Sequence, residues 1–467
     1  MEIKKGAHVH MMGICGTAMA SLAGLLKDRG YHVTGSDSNP YPPMSTQIES
    51  LGIKIQKGYK AENLTPKPDF VIVGNVISAN NEEAQELMRL KISYTSLPKA
   101  MGEYIIEGRD CICISGTHGK TTTTSLMSWV AEVCGQKPGF LIGGIAKNFS
   151  QSFKNPKGNL FVIEGDEYDT AFFDKVPKFV HYKPKYAILT SVEFDHADIY
   201  KDLDDVKKAF SKLMHLVPHD GHLVAWGEDK NIQELKSQCK APVTTYGLKK
   251  CDVNAKILNT TNEGTEFQVD FKGEDLGIYE MPLSGEYNVL NALSVITLTR
   301  LLDWDQGKVR EAFKSFEGVK RRQEILGEPR GVLVVEDFAH HPTAVKETIK
   351  GIKMKYPGRK VWAVFEPRSA TSRRKVFQRD YAIAFEQADQ IMIAEAFDQT
   401  KINEEDRFSS SELVEDIKQK GKSAQVYKSA DEIVKDLVKG TQKGDLILIM
   451  SNGGFDGIYT KLMQAMG

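Results

Sequence analysis

Nowhere in the 467-residue sequence does an apolar run approach the roughly 18 consecutive residues that cross a bilayer. The opening segment, MEIKKGAHVHMMGICG, turns glycine-rich before the apolar core of a secretion signal can form, so a cytoplasmic chain is expected. Cysteine is scarce. Six thiols in this length cannot build a disulfide scaffold, and Cys111 and Cys113, one residue apart in CICIS, lack the spacing of zinc ligands. All six are expected to be reduced, with Cys15, inside a glycine turn, the candidate for an exposed thiol. An excess of either charge is also missing: 61 basic residues face 62 acidic ones, which leaves no long-range field to draw the chain to nucleic acid or to an anionic membrane. Neither is expected as a partner. Low-complexity tracts and repeats of roughly 20 to 50 residues are absent, which excludes arrays and solenoids.

What is present is a succession of short apolar runs, each ending in glycine or polar residues and followed by a segment of helical period. Val9 to Met12, Phe70 to Val73, Cys111 to Ile114, Leu160 to Ile163, Tyr186 to Leu189, Val332 to Val335, Val361 to Phe365, Gln390 to Ala394 and Asp445 to Met450 read as strands. Ala18 to Arg29, Thr122 to Cys134, Asp204 to Leu216, Val289 to Leu302 and Pro342 to Met354 read as helices between them. The fold class is α/β, with parallel strands joined by helical crossovers. Strand-turn-helix units restart near Val9, Cys111 and Val332, so three domains are expected, 1–107, 108–323 and 324–467, cut in polar segments near Gly108 and Gln323. Residues 243–282 alternate apolar and polar and suggest a small antiparallel addition to the middle domain.

The strongest local signal is ISGTHGKTTTT. Gly116 and Gly119 allow a tight turn whose consecutive amides point at phosphate oxygens at a helix N-terminus; Lys120 supplies a cation, and the Thr121 hydroxyl can hold Mg²⁺. The spacing is shorter than the general phosphate-loop pattern, but strand and helix flank it as ATP binding requires. FVIEGDEYD follows, with Glu164, Asp166, Glu167 and Asp169 so close that they repel one another unless a cation sits among them. Hard oxygen donors suit Mg²⁺. ILTSVEFDHADIY places Glu193, Asp195, His196 and Asp198 at a strand end, where open α/β sheets bind ligands, so His196 is a candidate for a second metal or a phosphate.

Further along, Asn288 and Asn291 stand three apart at the start of an apolar helix and can share a face toward a purine edge. Lys320, Arg321 and Arg322 cluster at the second boundary, where an arginine can reach a phosphate on domain closure. Asp337, His340 and His341 lie in a strand-to-helix turn with Pro342 at the first helical position; neighbouring histidines seldom converge on one ion. At the N-terminus a strand, a turn from Gly13 to Thr17, a helix and a second strand ending at Asp37 approach a dinucleotide fingerprint. The glycines are Gly13 and Gly16 with Ala20, so the turn could serve a nucleotide diphosphate or NAD equally well.

Taken in order, the glycine turn with GSD, GTHGKTTT, EGDEYD, EFDHAD, GEYNVLN, KRRQE and EDFAHHPT resemble the successive motifs of the Mur ligase family over nearly the whole chain. The resemblance implies a Rossmann-like N-terminal domain for a UDP moiety, a central P-loop-type domain for ATP and a Rossmann-like C-terminal domain for the incoming amine. It implies ATP-dependent amide formation through an acyl phosphate, with ATP and Mg²⁺ required. Within the family HVHMMGICGTAMA, FAHHPTA, FEPRSATSRR and MSNGGFDGI are most similar to the cell-wall-recycling member. That enzyme joins UDP-N-acetylmuramate to the murein tripeptide L-alanyl-γ-D-glutamyl-meso-diaminopimelate; the alternative is the member that adds L-alanine.

By this resemblance Lys120, His196 and Arg322 are catalytic. Gly116, Thr117, His118, Gly119, Lys120, Thr121, Thr122, Asn288, Asn291, Arg322 and Asp337 bind the nucleotide. Thr121, Glu164 and His196 hold metal, and Gly13, Cys15, Gly16, Thr17, Ser36, Asp37, Asp166 and Arg368 bind substrate. Two departures stand out. Arg368 and Ser369 replace the His-Arg pair of the alanine-adding relative, which suggests a pocket for a longer, acidic peptide served by Arg368, Arg373 or Arg374; and Ser191 stands where many members carry Asn. An acyl phosphate must be kept from water, so closure about hinges near Gly108 and Gln323 is expected.

Overall fold

The apolar runs become strands of three mostly parallel sheets in a computed structural model that describes residues 4–40 and 42–467. The first has the order Ile55–Lys57, His32–Asp37, His8–Met12, Phe70–Val73, Tyr94–Ser96, all parallel. The second is built around Asp110–Ser115. On one side lie Tyr186–Leu189, His222–Trp226 and Val243–Gly247; on the other Leu160–Gly165, Gly139–Ala146 and the antiparallel edge strand Gln151–Lys154. Cys111 to Ile114 are fully buried because a central parallel strand is covered on both faces, which is why it reads as an unbroken apolar run. The third has the order Glu324–Gly327, Leu333–Asp337, Leu446–Met450, Val361–Phe365, Gln390–Ala394, Ser423–Tyr427, with only the first pair antiparallel.

The chain separates into two compact units. One comprises the residues up to Glu193, Asp204–Asn254 and Asn291–Glu317; the other comprises Phe194–Leu203, Ala255–Leu290 and Gly318–Gly467. The first and second sheets share the first unit. The helix Thr17–Asp28 presses on the central sheet there: a Cβ on Gly24 would lie 2.0 Å from the Phe153 ring, and Ser21 hydrogen bonds Ser152 at 2.8 Å. The short hairpin of Asp169–Ala171 and Asp174–Pro177 makes a second junction, where Phe173 meets Tyr94 edge-on and Ser96 donates to Asp174 at 3.1 Å.

One expectation needs correcting. Val243–Gly247 is not antiparallel: it follows the crossover through the helix Lys230–Leu235 and adds in parallel to His222–Trp226, as a long connection permits. Within this stretch Thr265–Phe271 and Glu274–Met281 do pair antiparallel, in the second unit. Among the described residues no helix is long and apolar enough to cross a membrane.

Candidate active site

At the carboxyl end of Asp110–Ser115 the chain turns through Gly116 and Gly119, at φ +130° and +80°, into the helix Lys120–Val133. The loop is bolted to the end of the neighbouring strand Tyr186–Leu189. Thr117 N–H donates to Ser191 O (2.9 Å), His118 N–H to Ser191 Oγ (3.0 Å) and Glu193 N–H to Thr117 Oγ1 (2.8 Å), while Thr190 Oγ1 donates to His118 O (2.5 Å). This corrects the expected cradle: the amides of Thr117 and His118 are spent on Ser191. The first intrahelical bond is Thr123 N–H to Gly119 O at 3.0 Å. The amides of Lys120, Thr121 and Thr122 therefore precede the helical ladder, and the anion-binding end of the motif is the helix N-terminus itself. Asn291 lies against this turn, its Oδ1 2.5 Å from where a Cβ on Gly119 would stand.

Beside the turn, Lys120 Nζ donates to Gly116 O (2.5 Å) and faces Glu167 (3.3 Å) and Asp166 (3.9 Å). Burial disfavours its charge, but Glu167, Asp166 and Glu164 outweigh that and raise its pKa. Glu167, given no individual role from sequence, is 2% exposed. The Thr121 hydroxyl donates to Glu164 at 3.1 Å, and Glu164 also accepts from Gly143 N–H. An adjacent hydroxyl and carboxylate, all oxygen, fit Mg²⁺, which fills its remaining positions with water and phosphate. Asp166 is engaged by Lys178, 2.7 Å away; burial would raise its pKa, but Lys178 and then Lys120 depress it to about 2. A buried carboxylate missed in the sequence, Asp229, accepts from Val192 N–H (2.8 Å) and caps the helix Lys230–Leu235, so it fixes the segment that carries Ser191 and Glu193.

His196 belongs to the second unit, whereas Thr121 and Glu164 belong to the first. It has φ +53°, and its N–H donates to Asp195 at 2.7 Å; Thr371 Oγ1 donates to the same carboxylate at 2.7 Å. Burial pushes Asp195 up, but His196, His340 and His341 more than reverse it, leaving the carboxyl below its usual range. His341 caps the helix Pro342–Lys355 by accepting from Thr343 N–H (3.3 Å) and meets Phe194 O (3.1 Å), while His340 contacts Phe338 O (3.0 Å). The two rings have separate partners and form no metal pair with each other.

In the N-terminal turn Gly13, at φ +80°, and Ile14 donate to Ser36 O, and Cys15 N–H donates to Asp37 Oδ2 at 3.0 Å; Gly16 precedes the helix beginning at Thr17. The Cys15 thiol is not exposed: the turn wraps it against the core, and burial followed by Asp37 and Glu49 pushes its pKa up to about 12. Ser36 is buried as well, its hydroxyl donating to Glu83 at 2.9 Å. Glu83 also pairs with His10 (2.6 Å) and Asn63 (2.9 Å), a fully buried network that no sequence motif announces. Of the expected substrate residues here, Gly16 is exposed and Thr17 and Asp37 are half-buried, whereas Gly13, Cys15 and Ser36 are buried in the turn.

In the second unit Arg322 stacks on Phe338, 4.6 Å from the ring centre, and Arg321 pairs with Glu336 at 2.6 Å. Asp337 accepts from Gln323 N–H and Ala339 N–H, both at 2.8 Å; burial raises its pKa against the pull of Arg322. Asn288 donates to Ser284 O at 2.8 Å. Arg368 sits over the half-exposed Phe397, 3.7 Å from the ring centre, and pairs with Glu366 at 3.2 Å, which Ser451 holds. Gly453 lets Arg368 pass close to the backbone there, since an added Cβ would displace the far end of the Arg368 side chain. Arg373 is committed to the backbone oxygens of Ser369 and Asp398.

Family comparisons agree along the whole chain. Residues 8–109 match the Mur ligase family catalytic domain, 114–299 the Mur ligase middle domain and 321–453 the Mur ligase glutamate ligase domain. The sequence is 38% identical over 460 residues, 98% of each chain, to the UDP-N-acetylmuramate–L-alanyl-γ-D-glutamyl-meso-2,6-diaminoheptandioate ligase of Escherichia coli K12. It is 33% identical over 448 residues, 96% of this chain and 97% of the other, to a UDP-N-acetylmuramate–L-alanine ligase of Desulfitobacterium hafniense. A solved murein peptide ligase of Psychrobacter arcticus covers 99% of both chains with a TM-score of 0.76 and 35% identity. With three matching domains in order and relatives of this identity over nearly their full length, the chain belongs to the Mur ligase family, whose members are ATP-dependent ligases.

Proposed function

We propose that the protein joins UDP-N-acetylmuramate to L-alanyl-γ-D-glutamyl-meso-diaminopimelate with cleavage of ATP to ADP and phosphate, in recycling of cell-wall peptide in the cytoplasm. The observation that carries the reading is the loop Gly116–Thr122 with Lys120, Thr121 and Glu164 at one sheet edge, in a chain 38% identical end to end to an enzyme of that activity. Arg368-Ser369, in place of a His-Arg pair, favours the peptide over free L-alanine.

A carboxylate resists attack by an amine because the attack adds charge to an anion. Transfer of a phosphoryl group onto it removes that obstacle and creates a leaving group. Positioning and charge neutralisation dominate such transfers. The helix N-terminus at Lys120 to Thr122 receives the phosphates, and the Lys120 ammonium answers the charge of the terminal one. Thr121 and Glu164 would hold Mg²⁺, which would supply further neutralisation of the phosphate charge. Asn291, braced on Gly119, and Asn288 are assigned to adenine. Gly13 to Thr17 and Asp37 are assigned to the UDP moiety and Arg368 to a peptide carboxylate. The metal role of His196 and the nucleotide roles of Arg322 and Asp337 rest on the family resemblance. The domains are assigned as 1–107 for UDP-sugar, 108–323 for ATP and 324–467 for peptide.

The test supplies ATP, Mg²⁺ and UDP-N-acetylmuramate labelled with ¹⁸O in its carboxyl group, with either tripeptide or L-alanine. Tripeptide-dependent amide formation with label in the released phosphate is expected, and Lys120→Ala should abolish it while UDP-sugar binding persists. Preference for L-alanine, or no ATP consumption with either acceptor, overturns the reading.

A further inference from the structure

The lysine of the phosphate loop stands in an acidic setting. Lys120 faces Asp166 and Glu167 within 4.0 Å and feels Glu164 as well, three carboxylates around one ammonium. A cation so outnumbered makes a poor receptor for a polyphosphate, because the anion must displace carboxylates already in place. Mg²⁺ held at Glu164 would answer one of them. Asp166 needs another answer, and the structure supplies it from outside every motif.

Lys178 opens the turn that follows the strand Asp174–Pro177, the return strand of the hairpin begun at Asp169–Ala171, so the chain is carried back to the acidic segment it has just left. Its N–H donates to Asp166 O at 3.0 Å, and its Nζ donates to Asp166 Oδ2 at 2.7 Å and to Tyr168 OH at 3.0 Å. The ammonium also sits over the Tyr168 ring, 4.2 Å from its centre. Its side chain is only 10% exposed, which is rare for lysine and unfavourable unless the charge is paired. Asp166 thus lies between two lysines, close to Lys178 and, at 3.9 Å, loosely associated with Lys120.

We propose that Lys178 is a positioning residue for the nucleotide: by holding Asp166 it keeps that carboxylate from joining Glu167 on Lys120, whose ammonium thereby keeps a side open to the terminal phosphate of ATP. The inference rests on the reading of Lys120 as the phosphate-binding lysine. It also reassigns Asp166, whose expected contact with substrate gives way to a structural pairing.

Equilibrium binding of a non-hydrolysable ATP analogue with Mg²⁺, by calorimetry on the full chain, tests this with four proteins: wild type, Lys178→Met, Lys178→Arg and Lys178→Met/Asp166→Asn. In Lys178→Met the freed carboxylate pairs with Lys120, and the analogue should bind at least about tenfold more weakly, while Lys178→Arg should recover most of the loss. The double variant removes the competing charge with its partner and should return to within about threefold of wild type. UDP-N-acetylmuramate affinity should not move in any of them. Unchanged analogue binding in Lys178→Met overturns the proposal, and so does a double variant as weak as the single one, which would mean that Asp166 or Lys178 touches the nucleotide directly. If Lys178→Met does not fold, the double variant, which buries no lone charge, decides alone by the same criterion. A wild-type protein that fails to bind the analogue would instead refute the ligase reading.

Discussion

Replacing Gly116 by alanine probes the joint between the phosphate loop and the strand beside it. The added methyl group would stand 2.2 Å from Thr190 Oγ1, 2.8 Å from Ser191 N and 2.9 Å from Ser191 O, and two of those three atoms are backbone and cannot swing away. The residue would also be held at φ +130°, which side chains avoid. Strain of that kind costs about 1–3 kcal/mol and overpacking about 1–3 kcal/mol more. The total, about 4 kcal/mol at its middle, is within what a folded domain tolerates, but it exceeds what the bonds from Thr117 and His118 to Ser191 can resist. The loop should therefore part from Ser191 and lose its grip on phosphate. Binding of an ATP analogue should weaken by roughly two to three powers of ten. UDP-sugar binding, carried by the turn at Gly13, should stay unchanged. Gly135→Ala is the control: it too has positive φ, +78°, at the far end of the same helix, but no heavy atom lies within 4 Å of the added carbon, so only about 1–2 kcal/mol of strain remains. Analogue binding within threefold of wild type for Gly116→Ala would refute the argument that this contact holds the loop.

The parallel strands were legible because burial on both faces leaves an unbroken apolar run: Phe70–Val73, Tyr186–Leu189, Val361–Phe365 and Gln390–Ala394 begin and end where the sequence placed them. Strands without such a run were not legible. Ser423–Tyr427 alternates burial at the sheet edge, and Gly139–Ala146 is so rich in glycine that it carries no strand pattern. The phosphate loop could be read because its chemistry is local, a few residues between a strand and a helix. What holds the loop could not. Asp229, Glu83 and Lys178 act on partners 37, 73 and 12 positions away, through contacts that only the folded topology creates. The acidic segment illustrates the limit: four close carboxylates announce that a cation must be near, and their hard oxygens suggest a metal. The fold also supplies lysines, Lys120 from the helix and Lys178 from the hairpin. Cys15 departs from its expected exposure for the opposite reason, since a glycine turn suggests an open backbone, yet here the turn folds over its own side chain.

Further outcomes follow from the same contacts. Ser191→Ala removes the acceptor of His118 N–H and should weaken nucleotide binding modestly, about five- to tenfold, by calorimetry; no change would mean that this bond does not brace the loop. Glu83→Ala leaves His10, Ser36 and Asn63 facing a buried void and should cost about 3–5 kcal/mol in urea denaturation, with UDP-sugar binding weakened as the turn at Ser36 relaxes. A loss under about 1 kcal/mol would show the network to be dispensable. The Cys15 thiol, buried and pushed up to about 12, should escape iodoacetamide at pH 8 in the native protein and react once it is unfolded, as peptide mass mapping will show; native labelling would contradict the wrapped turn. The acid response of Asp166 completes the set. Burial alone would raise its pKa above 3.8, but Lys178 and Lys120 win and hold it at about 2 in the folded state, so the ionised pair stabilises the fold wherever pH lies above the unfolded value. That contribution, roughly 2 kcal/mol, is complete at neutral pH and is lost as pH falls from about 4 through 2. Asp166→Asn should consequently be less stable than wild type at pH 7 by an amount of that order, and the gap should close as acid protonates the wild-type carboxylate. A gap that stays constant from pH 6 down to the acid limit of the folded protein would show that Asp166 is not held ionised by its two lysines.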